Sequence, residues 1–517
     1  MNISVLIYGF IFLIFGVGCN GPSIQTKTLI DQPSNKKTPD PTGINTNYFV
    51  SKKGNDKNDG TFSKPFLTIG KGLEVAHAGD TTFVMEGNYQ EYVEFKESGT
   101  VDHPLTLKNY KDDIVTIDAE NLRVCCINAQ NISNVVIEGI LIQNATKTNL
   151  KITGCQNIVA RNITSLLPIS QSSTAINIRL NPDNTNWGKN IILKNVTTTG
   201  GQYGLLIEEK QNGVNISGHF SHASIDGINI QIPWVTDTTQ YNRGIIVDSV
   251  EVDHNARQGI VTLGLKNSIF RNFYSHHNGA SGLQIEDYCY GILIEDFICE
   301  YNSQSALYTY ETGIWINKDD GVIIRRGILR NNQTGLRVSE SRNVLASDLL
   351  IYSNQSGYGD GNSSGIDFNS SRVELYNSVI NGNSLFASQR GNISLRDSGQ
   401  YVLKNNIISN SQSSNDLFRT GSHKFASDSN LIYNSRVLNI FNLYGVISWE
   451  TYKRTTNQDA HSVNSDPLFI DSNNNDFRLQ PSSPAKKNGR NIGIKTFLSG
   501  SEITGNKSAL NKTLTVK

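Results

Sequence analysis

Between residues 204 and 368 the apolar positions follow a two-residue alternation that keeps restarting. Each restart opens on a glycine, followed by an aliphatic residue, a variable one and another β-former. The series is "GLLIEE" at Gly204, "GINIQI" at Gly227, "GIVTLG" at Gly259, "GLQIED" at Gly282, "GIWINK" at Gly313, "GLRVSE" at Gly335 and "GIDFNS" at Gly365. Period two marks a strand with one packed face and one outward face. The restarts lie 23, 32, 23, 31, 22 and 30 residues apart by subtraction. The unit is therefore about 22 or 23 residues, with roughly eight or nine more in alternate units.

A second apolar run follows: "VNI" at 214, "IIV" at 245, "ILI" at 292 and "VII" at 322. Before the next glycine an asparagine recurs: Asn255, Asn278, Asn302, Asn331, Asn354 and Asn383. Short strands at this period, without helical patterns, predict an all-β chain wound as a right-handed parallel β-helix. Leucine-rich repeats share the period, but their leucine and asparagine spacing is missing. The predicted inward stack is Leu205, Ile228, Ile260, Leu283, Ile314, Leu336 and Ile366. The asparagines form a second stack, hydrogen-bonded along the coil axis. Weaker coils precede these, near 124–143, 148–167 and 175–196.

A solenoid needs its ends covered. "PFLTIGKGLEVAHAGD" supplies a capping helix over Ile69 to Ala78, with Thr68 as N-cap and Gly79 as the stop. The predicted divisions are an N-terminal signal over 1–19, a tether over 20–46, an N-terminal cap with the first coils over 47–123, the main repeats over 124–410, C-terminal coils and cap over 411–495, and a tail over 496–517. The first apolar run is short for a membrane span of ~20 residues and ends at Gly18-Cys19, which resembles a bacterial lipobox. The expectation is an exported protein, anchored in the cell envelope by a lipid on Cys19 or released outside. A cleaved secretion signal and an uncleaved anchor are the alternatives.

Composition changes little. Forty-six basic and 46 acidic residues cancel, so charge gives no argument for nucleic acid, and contact with a membrane is expected only through the lipid. A monomer is expected. Six cysteines show no zinc-ligand spacing and read, beyond Cys19, as buried thiols.

"YFVSKKGNDKNDGTFSKPFLTIGKGLEVAHAGDTTFVMEGNY" resembles the N-terminal module of exported β-helix proteins of the pectate-lyase-like superfamily, including the family-nine polysaccharide lyases. "NSDPLFIDSNNNDFRLQPSSPAKKNG" is similar to a C-terminal segment of the same group. The resemblance runs from about Tyr48 to Gly493 and speaks to fold more than to reaction. It implies a polysaccharide or oligosaccharide partner.

The insertions at 232–243, 303–312 and 355–364 should wall the outer face of the glycine-led sheet, carrying Trp234, Tyr241, Tyr308, Tyr310 and Tyr358. Its floor is the outward row Asn229, Val261, Gln284, Trp315, Arg337 and Asp367. Glu208, Gln231, Glu286 and Asn317 lie two residues further on. Trp315, mid-row, suits the apolar face of a sugar ring. The resemblance also implies a lysine base and calcium held by aspartates. Asp226 stands at one ligand position, but Gln284 stands where the lysine would be, and the aspartate pair is missing. In a shifted register Arg337 takes the lysine position, with Glu311 one coil earlier. Asp367 beside it favours a charged guanidinium, so Arg337 is expected to clamp a carboxylate rather than act as base. The catalytic candidates are Arg337, Glu311 and Glu286, with Tyr308, Tyr310 and Lys318 as further bases.

A glycosidase needs carboxyl groups ~5–9.5 Å apart; Glu286 and Asp367, three coils apart at ~14 Å, are too distant, whereas Glu311 and Asp360 could approach. "KDD" at 318–320 reads as a solvated turn, and His222, His254 and His277 as a solvated or sugar-facing ladder. The functional expectation is a lyase acting by β-elimination on uronic-acid polysaccharide. A non-catalytic glycan-binding or envelope protein is the second reading and a glycoside hydrolase the third.

Overall fold

The computed structural model describes residues 45–167, 173–179, 187–232, 238–303, 312–355, 363–384, 391–410, 418–419, 424–433, 440–442, 445–447, 449–486 and 492–494. Cys19, Trp234, Tyr308, Tyr310, Glu311, Tyr358 and Asp360 lie outside these residues.

Alternating apolar positions build a parallel β-solenoid. One 15-stranded sheet contains every glycine-led strand, and a 24-stranded sheet supplies the remaining walls. Register follows the repeat: Leu205 pairs with Ile228, Ile228 with Ile260, Ile260 with Leu283, Leu283 with Ile314, Ile314 with Leu336 and Leu336 with Ile366. All seven side chains are fully buried. The longer steps insert chain between strands without shifting their pairing, since register is set by which face is packed.

The glycines have a steric reason. An added Cβ at Gly282 would sit 2.8 Å from the Asn302 amide nitrogen, and one at Gly313 2.8 Å from that of Asn332. The asparagines press against the start of each strand and bond in series. Asn255 donates to Asn278 at 2.9 Å, Asn278 to Asn302 at 2.9 Å, Asn302 to Asn332 at 3.1 Å, Asn332 to Asn354 at 3.1 Å and Asn354 to Asn383 at 3.0 Å. The ladder thus runs through Asn332, not Asn331. Asn331 occupies the left-handed turn just before it, with φ 54°. In "NNQ" either asparagine fits the spacing, and the turn decides which one points inward.

The N-terminal helix spans Ile69–Val75, shorter than the expected Ile69 to Ala78, and the Thr68 side chain accepts from the Lys71 N–H. Ile69 and Leu73 bury into the main core. At the other end, helix Trp449–Thr456 adds Trp449 and Tyr452 to the same core. Cys125, Cys126, Cys155, Cys289 and Cys299 are buried free thiols. Burial raises Cys125 and Cys126 to about 12, which keeps them unreactive.

The C-terminal segment lies along the solenoid's side. Strands Phe469–Asp471 and Asp476–Leu479 pair antiparallel. Phe469, Phe477, Ala485 and Ile492 cover an outward apolar row of the larger sheet: Tyr274, Ile298, Ile328, Leu350, Val379, Ile407 and Leu431.

Candidate functional site

Strand pairing assembles the predicted floor in order. Asn229 pairs with Val261, Val261 with Gln284, Gln284 with Trp315, Trp315 with Arg337 and Arg337 with Asp367. The row beside it runs Glu286, Asn317, Ser339 and Asn369. Trp315 is half-buried between fully buried Ile314 and Ile316, so the indole faces outward. Its Nε1 is buried, with no hydrogen-bond partner among the described residues. The Arg337 guanidinium carbon lies 5.8 Å from the indole centroid, within cation–π range.

Arg337 is less accessible than an open clamp requires, since its side chain is 5% exposed. Its Nε donates to Asp367 Oδ2 at 3.1 Å. Arg396, one coil further, donates to Asp367 Oδ1 at 2.8 Å and Oδ2 at 2.9 Å. Two guanidinium groups thus flank one fully buried carboxylate. Arg396 was missing from the predicted row because it belongs to the neighbouring one, opposite Asn369. Its guanidinium reaches across, a length effect invisible to spacing.

Two polar chains continue the face toward the N-terminus. Gln258 donates to Gln284 at 2.8 Å, and Gln284 to Glu286 at 2.7 Å. Asp226 is fully buried and accepts four hydrogen bonds: two from Arg257, each at 3.0 Å, one from Asn229 at 2.8 Å and one from the Gln258 N–H at 3.1 Å. Burial pushes its carboxyl up, while Arg257 pulls it back. The Arg257 guanidinium fills the position a cation would need. Asp226 therefore does not fit the calcium-ligand role, and no step here runs through calcium.

The turn at 318–320 also departs from expectation. Asp319 is buried, and its carboxylate accepts from the Cys289 N–H at 2.8 Å and the Asn317 N–H at 3.1 Å. It ties two coils together instead of meeting solvent. The histidine ladder does form: His254 stacks on His222 and on His277 with centroids 5.2 Å apart in each pair, and His277 on Tyr301 at 5.1 Å.

Residues 48–197 match the model of the family described as Pel9A-like, right-handed β-helix region. Over 461 residues the chain is 24% identical to the uncharacterized protein YwoF of Bacillus subtilis (strain 168), spanning 85% of this chain and 92% of that one. Among solved structures it is similar to pectate lyase Pel9A, at 14% identity over 85% of this chain and 90% of that chain, TM-score 0.35. It is also similar to the A-module of the mannuronan C-5 epimerase AlgE6 of Azotobacter vinelandii, at 13% identity over 75% of this chain and 91% of that chain, TM-score 0.42.

Proposed function

We propose that the protein handles an acidic polysaccharide on the outer face of the 15-stranded sheet and cleaves it by β-elimination. The observation that carries this reading is the in-register run Gln284–Trp315–Arg337. It sets an amide, an outward indole and a guanidinium ~4.8 Å apart, close to the length of one sugar ring. An indole stacks on the apolar face of a sugar whatever its charge. The Arg337 guanidinium beside the indole, 5% exposed and paired with Asp367, adds positive charge to the face rather than an open fork. The indole N–H without a described partner is a donor whose burial costs about 1–3 kcal/mol, a cost an acceptor on a ligand would relieve. Arg337 polarises rather than abstracts in this scheme, because Asp367 keeps its charge in place. The base comes from another group, with Glu286 beside Gln284 the described candidate.

A specific observation favours glycan binding without cleavage as the second reading: the buried acids of the face, Asp226 and Asp367, are both paired with arginines. Uronic-acid polymers offered with and without calcium, with ultraviolet absorbance of unsaturated ends and calorimetric binding measured together, separate the two. Absorbance growth supports elimination, binding without absorbance supports the second reading, and neither signal on any polymer refutes both. We further propose export with a lipid on Cys19. Cys19→Ala is expected to shift the protein from the membrane to the soluble fraction, and a mature N-terminus other than residue 19 would exclude it.

A further inference from the structure

A second constellation lies on the larger sheet, away from the Trp315 row. Pairing places His219 opposite Glu251 and Glu251 opposite Tyr274, and in the next outward row Ser221 opposite Asp253 and Asp253 opposite His276. Four ligand-type side chains from three successive strands, Gln211–Ser221, Ile246–Asp253 and Leu265–His276, thereby meet. His219 Nε2 contacts Asp253 Oδ1, and His276 Nε2 lies 3.1 Å from Glu251 Oε1. One ligand atom each from Glu251, Asp253 and His276 fall within 4.8 Å of one another.

The outer ends of these groups are held as well. His254 Nδ1 is 2.5 Å from Asp253 Oδ2, and His277 Nδ1 is 2.8 Å from His276 Nδ1. The His276 ring stacks on Tyr274 at 4.0 Å. His219 and Glu251 also line a cleft of about 900 Å³, which opens the cluster to solvent.

We propose that His219, Glu251, Asp253 and His276 form a site for a divalent transition metal of the zinc class. Two imidazoles with carboxylates are the donor set such ions take, whereas calcium prefers six to eight oxygens and does not recruit imidazole. Metal–ligand bonds of ~2.0–2.2 Å place neighbouring tetrahedral ligands about 3.3–3.6 Å apart, so Glu251, Asp253 and His276 close on an ion with movements of about 1 Å or less. His219, whose Nε2 contacts Asp253 Oδ1, must swing in further to become the fourth ligand. With a metal on His276 Nε2 the ring proton sits on Nδ1, which faces His277 Nδ1 at 2.8 Å. Orientation of a ligand histidine through its second nitrogen is the usual arrangement around bound metals. The bound ion would staple three coils at the rim of the cleft. The site owes nothing to the polysaccharide reading and stands or falls separately.

The test uses the full chain without a histidine tag, stripped by chelator and titrated with zinc sulfate alone. One ion per chain should bind with a dissociation constant of about 1 µM or tighter, undisturbed by millimolar calcium. Zinc should also raise the melting temperature by several degrees, and cobalt(II) should show visible bands of a four- or five-coordinate site. His276→Gln and Asp253→Asn should each weaken binding by about 100-fold, and His254→Gln, which only orients Asp253, by about 10-fold. Among the proposed ligands, His219 is the most exposed, its side chain 41% accessible, so His219→Gln is the ligand variant least able to disturb folding; it too should weaken zinc and change the cobalt spectrum. Sub-stoichiometric zinc in the wild type would overturn the proposal, as would wild-type affinity in His219→Gln and His276→Gln with unchanged melting.

Discussion

Two outward rows of one solenoid solve the same problem in opposite ways. The row from Tyr274 to Leu431 on the larger sheet is mostly apolar, and the C-terminal segment lies over it with Phe469 and Phe477. The row from Asn229 to Asp367 on the 15-stranded sheet is mostly polar, and its buried charges are satisfied laterally by arginines from neighbouring positions. An outward position in a β-helix is thus not automatically a solvent position. Apolar rows need a cover; buried charged rows need partners. Trp315 belongs to neither solution: it is large, half-buried and placed between polar neighbours. That contrast makes it the residue on which a binding role rests.

The largest expected effect is on the charged row. Asp367→Ala deprives buried Arg337 of this carboxylate and should cost about 3–5 kcal/mol in chemical unfolding. Asp367→Asn should cost less, because the amide still accepts a bond. A loss below about 1 kcal/mol for Asp367→Ala would show that the pairs on this face are dispensable and that the two rows do not differ in kind.

Phe477→Ala should cost about 3–4 kcal/mol, since the side chain is 3% exposed and its ring lies 4.9 Å from that of Tyr352. Polysaccharide binding should be unchanged in this variant. A parallel loss of binding would mean that the covered row and the Trp315 row are coupled, and the comparison would fail.

Trp315→Ala should reverse that pattern. Binding of acidic and neutral oligosaccharides should both fall by about 10-fold, for a stability change of about 1 kcal/mol. Arg337→Lys should change binding of acidic ligands less than Trp315→Ala does and leave neutral ones unaffected, because the buried group acts through its charge, which lysine keeps. Calorimetry with one acidic and one neutral oligosaccharide checks both, and equal binding by all three proteins would return the row to a structural role.

The smallest effect belongs to a third outward set. Burial tends to raise the Glu295 carboxyl, but hydrogen bonds from Arg325 and Arg326 hold it below the ordinary range. With a depressed folded value, its contribution is present above the unfolded pKa and is lost as pH falls through the folded one. The Arg325 side chain is 42% exposed, so Glu295→Gln should cost under about 1 kcal/mol at neutral pH, shrinking further in acid. Unfolding curves across that range report it.

Much of the site was readable from spacing because strand pairing obeys period two. Trp315 outward, Ile314 inward and the order Gln284–Trp315–Arg337–Asp367 all follow from the glycine-led repeat. What spacing missed is where long side chains go. Arg396 reaches Asp367 from the neighbouring row, and Arg257 reaches Asp226 from the turn before its strand. Asp319 turned inward because two backbone N–H groups of adjacent coils needed an acceptor. The metal-type cluster was missed because its members come from three different units. The histidines singled out by period, His222, His254 and His277, form a stacked ladder beside it.

Periodicity alone determined the coil, its register and the inward face, since a one-residue slip would turn the whole apolar set to water. Tertiary structure alone decided which outward rows stay open. The apolar row is closed by a segment some two hundred residues downstream of Tyr274, whereas the polar row has its buried acid paired by arginines from the adjacent strands and leaves Trp315 half-exposed. Contacts made across coils by flexible side chains leave no period in the sequence. They depend on which rows the closed coil brings within reach of one another.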